Sequence, residues 1–134
     1  MNYGYSRTVD LPFDAAIERV TATLADQGFG VLTTIDVKAT LKKKLDVDRR
    51  PYVILGACNP LYAHQALEIE EPLGLLLPCN VVVYEGDDGN TVIASIDAGA
   101  MMSVVGNDAL EDVAEQVNPL LKAAIDAAAK VDSA

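Results

Sequence analysis

The apolar run at residues 52–57, Tyr-Val-Ile-Leu-Gly-Ala, places the strongest constraint on how this chain can fold. A segment so poor in polar residues is typical of a strand in the middle of a sheet, or of one covered on both faces. Asn59 then suits the residue before a helix, with its side chain capping the helix, and Pro60 suits the first helical turn. The sequence therefore predicts a strand that ends near Cys58 and leads directly into a helix.

The Cys-Asn step at 58–59 recurs at 79–80, again beside an apolar segment. The chain contains only these two cysteines, so both stand in the same setting. Asn80 is unusual in a predicted strand, where asparagine is depleted, and a polar residue there usually bonds a turn or a ligand. Cys58, Asn59, Cys79 and Asn80 are therefore our candidate ligand-binding residues.

Hydrophobic periodicity predicts a layered α+β domain whose sheet is covered on one face by helices that include a long C-terminal helix. The predicted strands are 3–9, 31–35, 52–57, 80–85 and 91–97, and the predicted helices are 13–28, 37–45, one from 60 to about 68, and one from 108 onward. Asp108 and Glu111 resemble a capping box, and Pro119 should kink or split the last helix.

The length and charge of the chain limit its class. Its 134 residues suit one domain spanning 1–134, and its net charge of −10 disfavours nucleic acid and anionic membranes as partners. No apolar run is long enough for a membrane span, and the N-terminus lacks the pattern of a secretory signal, so we expect a cytoplasmic protein. The basic residues that cluster at 38–50 indicate a solvated helix face, with binding of an anionic ligand or partner as the alternative.

The common catalytic motifs are absent, so the sequence leaves open whether the protein is an enzyme and whether it uses a cofactor. His64 is the only histidine, and neither a Gly-x-Ser-x-Gly motif nor a phosphate-binding glycine-rich loop accompanies it. It should project away from the apolar side of its helix.

The chemistry of the cysteines leaves several alternatives open. A thiol beside a helix N-terminus favours the thiolate, whereas a small buried side chain between strand and helix would be structural. If the strand after Cys79 lies beside the strand before Cys58, the two thiols can meet. They would then suit a reversible disulfide, or a soft metal such as copper(I) together with His64, Met101 or Met102.

The residues 54–60 (Ile-Leu-Gly-Ala-Cys-Asn-Pro), 74–81 (Gly-Leu-Leu-Leu-Pro-Cys-Asn-Val) and 83–85 (Val-Tyr-Glu) resemble the small bacterial and archaeal domain-of-unknown-function 302 family. The likeness extends over nearly the whole chain. It implies an α+β fold with a curved antiparallel sheet and a long C-terminal helix, in a layout similar to the TATA-binding-protein-like group. It also implies that the two Cys-Asn motifs form one site, and it implies no activity.

Three functions follow in order of preference. The first is a module that binds a small ligand or a soft metal around the two Cys-Asn motifs. The second is an interaction protein that acts as a homodimer through an exposed sheet edge. The third is a thiol redox protein in which Cys58 attacks and Cys79 resolves.

Overall fold

Five strands and five α-helices make up residues 1–130, the part of the chain that the computed structural model describes. In chain order they are β1 (Gly4–Val9), α1 (Phe13–Asp26), β2 (Gly30–Asp36), α2 (Val37–Leu45), β3 (Tyr52–Cys58), α3 (Pro60–Ile69), a 3-10 helix (Glu71–Leu76), β4 (Cys79–Glu85), β5 (Thr91–Ile96), α4 (Ala98–Ser103) and α5 (Ala109–Ala129). The predicted strands and the four predicted helices are all present. The 3-10 helix and α4 were not predicted.

The strands form one antiparallel sheet in the order β1-β5-β4-β3-β2. The predicted hairpin is present, with β4 pairing β5 across the turn at 86–90. The apolar strand β3 lies between β4 and β2, as its composition indicates, and in the register Ala57 stands opposite Cys79. The α+β prediction with an antiparallel sheet is confirmed.

The core lies between one face of the sheet and the layer formed by α1 and α5. Alternate residues of the inner strands point into it, among them Leu55, Val81 and Ile93, each at most 1% exposed. From α5, the buried residues Val117 and Leu121 meet this face at helical spacing. The period of two in the strands and of 3.6 in the helix thus build a two-layer α+β domain.

Two details of the helix ends and breaks differ from the predictions. Of the two effects expected of Pro119, a kink or a split, the split does not occur: α5 runs unbroken to Ala129, because buried residues on both sides of the proline hold it against the core. The side chain of Asp108 makes no capping bond; instead Asn107 Oδ1 accepts from the backbone N–H of Ala109 at 3.0 Å. The asparagine one position earlier provides the cap that the Asp108–Glu111 pattern predicted.

No helix within residues 1–130 is long and apolar enough to cross a membrane.

Candidate functional site

A cleft of about 320 Å³ opens where β3 ends and β4 begins. Cys58, the last residue of β3, and Cys79, the first of β4, both line it. Since Ala57 is the register partner of Cys79, the two cysteines lie one residue out of direct opposition on neighbouring strands. Both are free thiols, Cys79 buried and Cys58 half-buried. Strands β3 and β4 are thus neighbours, which was the condition for the two thiols to lie close together.

The walls of the cleft are mostly apolar. They include Phe29 just before β2 and Leu32 within it, Tyr62, Ala63, Ala66 and Leu67 from α3, Leu77 and Pro78 before β4, Met102 from α4, and Val113 and Val117 from α5. No charged side chain lines the cleft within the described part of the chain, although 30 of the 134 residues are charged. Leu32 and Leu67 are exposed, so the mouth of the cleft is apolar as well.

Asn59 occupies the predicted position before α3, with Pro60 following as the first helical residue. Its side chain does not cap the helix, which corrects the sequence expectation. Instead Nδ2 donates to the carbonyl of Gln27 at 3.4 Å, across to the turn between α1 and β2. Gly28 makes this approach possible: its φ is +87°, and a Cβ there would lie 3.1 Å from Asn59 Nδ2.

Three of the residues that line the cleft, Cys58, Asn59 and Tyr62, carry a polar side-chain group. Within residues 1–130 the carboxamide oxygen of Asn59 and the hydroxyl of Tyr62 have no hydrogen-bond partner in the protein, and the thiol of Cys58 is half-buried. A few polar groups in a mainly apolar concavity are typical of small-molecule sites, because the apolar wall provides affinity and the polar groups fix orientation.

The thiol of Cys79 forms part of the apolar wall. Burial raises its pKa from 9.0 to about 11, and the nearby Cys58 adds to the increase. Cys79 is therefore a neutral thiol at neutral pH, which makes it a poor nucleophile in the resting protein.

Asn80 does not lie in the cleft, although the sequence grouped it with the other three residues. It stands opposite Gly56 in the register, it is exposed, and it lines the other face of the sheet with Val82 and Tyr84. The reason is the alternation of a strand, which sends Cys79 and the next residue to opposite faces. The structure thus brings together Cys58, Asn59 and Cys79.

Met102 joins the cleft from α4, so a third sulfur-bearing side chain lines it, whereas its neighbour Met101 only packs against the core. His64 is exposed, as predicted, and is not part of the cleft. In the described range, 1–130, no three His, Cys, Asp or Glu residues are grouped so as to hold a metal ion. A metal at this site would depend on sulfur.

Sequence reasoning did not select the residues that form most of the cleft surface. Among them are Phe29 from the connection between α1 and β2, Tyr62 from α3 and Val113 from α5, and each fits a simple core pattern in its own segment. Only the packing of α3 and α5 around the end of the sheet shows that they border a cavity. The apolar side of α3, predicted from its periodicity, was the one signal that pointed towards them.

Fold and cleft together define a small two-layer α+β domain with an uncharged cleft at one end of its sheet. The family described as "Domain of unknown function DUF302" matches residues 5–128, and the chain belongs to this family. It is similar to the crystal structure of an uncharacterized conserved DUF302 protein from Bacillus stearothermophilus, with 31% identity and a TM-score of 0.89 over 96% of this chain and 99% of that one. No curated protein matches the chain significantly.

Proposed function

We propose that this protein binds a small, uncharged and mainly apolar molecule in the cleft that contains Cys58, Asn59 and Cys79. The observation that carries the proposal is the lining of the cleft. Within the described residues it is apolar apart from the polar groups of Cys58, Asn59 and Tyr62, and it includes no charged side chain. Its volume of about 320 Å³ lies at the lower end of the range for ligand sites, so the ligand is small.

The polar groups indicate how such a molecule is oriented. Asn59 Oδ1 accepts a hydrogen bond from a ligand donor, while the Tyr62 hydroxyl is able to donate or accept. Cys58 supports the same site as a weakly polar thiol at the half-buried entrance. A charged ligand would lose its hydration without gaining an ion pair, which selects against it.

Titration with the neutral, environment-sensitive dye prodan tests this proposal. Ala63→Leu adds a side chain on the inner side of α3, where Ala63 lines the cleft, and should raise the dissociation constant about tenfold or more because it fills the space. Ala22→Leu is the matched control, since Ala22 is exposed on α1. Cys58→Ser should leave the fold intact and also weaken binding. Absence of dye binding to the wild type, or equal binding by Ala63→Leu, would contradict the proposal.

A soft metal ion is the second candidate, because Met102 adds a thioether to the two thiols of the cleft. Thiolate and thioether ligands favour copper(I), and binding would release the proton of Cys79. Competition with a copper(I) chelator tests this idea. Met102→Leu should weaken binding, whereas Met101→Leu should not, since Met101 lies outside the cleft. Equal copper(I) affinity in the Met102→Leu variant would exclude this site.

A further inference from the structure

The side chains on the second face of β3, β4 and β5 are uncharged and mostly apolar. We call this surface the open sheet face and define it by its apolar and aromatic residues Tyr52, Ile54, Val82, Tyr84, Val92, Ala94 and Ile96. The exposed Asn80 and its register partner Gly56 lie on the same face. The seven apolar and aromatic residues are half-buried, and only Ile96 among them packs against the hydrophobic core. The face therefore presents an apolar surface that α1 and α5, which cover the opposite side, do not protect.

The neighbouring corner of the molecule is also poorly buried. Neither β2 nor α2 contains a buried residue, and Ile35, 49% exposed, pairs with Ile54 and extends the open sheet face to the edge. Leu45, at the end of α2, is 67% exposed. A nine-residue helix gains most of its stability from packing, so α2 lacks much of the contact that would hold it.

We propose that the open sheet face is the interface of a homodimer, in which a second copy of this chain packs its own open sheet face against it. An interface between identical copies must avoid the like-charge repulsion of two molecules that each carry −10. The open sheet face satisfies this requirement, because no acidic residue occupies a second-face position on β3, β4 or β5. This inference is independent of the ligand-binding proposal.

One part of this face has the residue types that are common where protein interfaces bind most strongly. The rings of Tyr52 and Tyr84 are stacked with centroids 5.3 Å apart, and the Arg49 guanidinium lies 5.0 Å from the centre of the Tyr52 ring. Tyrosine and arginine are enriched where interfaces bind most strongly, since both offer a large rigid contact surface with a polar end. Their stacking fixes these side chains before a partner arrives.

The area of the face sets the size of the interface. Four strands, β3 to β5 together with β2, spaced about 4.8 Å apart and each about six residues long at about 3.3 Å per residue, give a face of roughly 400 Å². Two such faces bury roughly 800 Å² in total. The exposed side chains of α2, beside β2, supply the rest of the roughly 1,000 Å² that a specific interface needs.

Sedimentation velocity over about 1 to 100 µM tests the proposal. The wild type should show twice the monomer mass of 14.2 kDa. Val82→Lys places a positive charge at the centre of the face and reduces the net negative charge, so general repulsion cannot explain a dissociation. It should raise the dimer dissociation constant at least about a hundredfold. Ala22→Lys makes the same charge change on the exposed surface of α1 and should remain dimeric.

Val82→Thr keeps the β-branched shape if the lysine variant fails to fold, which far-UV circular dichroism will show. It should weaken the dimer by about tenfold. A wild type that is monomeric at every concentration overturns the proposal. So does a folded Val82→Lys variant that remains as dimeric as the wild type, because the contact would then lie elsewhere, for example at an edge strand.

Discussion

The buried thiol of Cys79 makes the stability of the protein depend on pH in the alkaline range. Because folding raises its pKa from 9.0 to about 11, the unfolded chain loses this proton first as the pH rises. The stability that the neutral thiol contributes is complete below pH 9 and is lost between about pH 9 and 11, up to about 3 kcal/mol. Removing Cys79 should therefore reduce the alkaline loss of stability.

Urea unfolding of the wild type and of Cys79→Ala, at pH 7.5 and at pH 10, measures this contribution. The free energy of unfolding should fall by about 1–1.5 kcal/mol less in the variant over this interval. Cys58→Ala retains the buried thiol of Cys79 and should keep a slope close to that of the wild type. Parallel slopes in the wild type and in Cys79→Ala would show that Cys79 is not shielded from solvent as described.

Single residues also show where the sequence was sufficient for the site and where it was not. Cys58 and Asn59 both reach the cleft because the strand ends between them and the chain turns into α3. Cys79 and Asn80 look the same in the sequence, but both belong to β4, so alternation separates them. Strand β4 begins at Cys79, one residue earlier than predicted, so Cys79 and Asn80 lie in the same strand and point to opposite faces.

At the level of elements, one hydrogen-bond network fixes α4 to α5. Asn118 Oδ1 accepts from the backbone N–H of Ala98 at 2.7 Å, and its Nδ2 donates to Asp97 Oδ1 at 3.1 Å. The same Asp97 oxygen caps α4 by accepting from the N–H of Ala100 at 2.9 Å, the main reason why the pKa of Asp97 is lowered. The network positions the helix that carries Met102 into the cleft.

Asn118→Ala should reduce the free energy of unfolding by about 1–3 kcal/mol, because it leaves the Ala98 N–H without its partner in a half-buried position. Gln116→Ala is the matched control. Its side chain is exposed on the same helix and donates only to a carbonyl of α5, so its removal should cost at most about 0.5 kcal/mol. Equal losses in the two variants, measured by urea unfolding, would mean that the network contributes little.

The helices and strands differ in how well they could be predicted from the sequence. The β4–β5 hairpin and α5 were predicted because turn residues and long periodic patterns are local signals. The short helix α4 was missed because it is only six residues long and mostly small and apolar. The backbone N–H of its first residue, Ala98, is bonded by Asn118, 20 residues away. A contact so distant in the chain leaves no local pattern.

At the level of the whole molecule, the balance of charge opposes folding. The chain has 20 acidic and 10 basic residues, whereas residues 1–130 contain four salt bridges, all with exposed partners. Exposed ion pairs contribute about 0–1 kcal/mol each to stability, so screening them with salt removes little stabilising free energy. Repulsion among the excess acids acts over a longer range and is screened by the same salt, with a Debye length of about 10 Å at 0.1 M.

Sodium chloride should therefore stabilise the protein. Between about 0.02 and 0.3 M salt, the midpoint of thermal unfolding at neutral pH should rise by about 3–5 °C, which corresponds to about 1 kcal/mol for a chain of this size. The same rise in the Val82→Lys variant would separate screening within one molecule from tighter dimerisation, since that variant should be monomeric. A midpoint that falls with salt would mean that the four ion pairs outweigh the net repulsion, and that the surface charges are arranged more favourably than their numbers indicate.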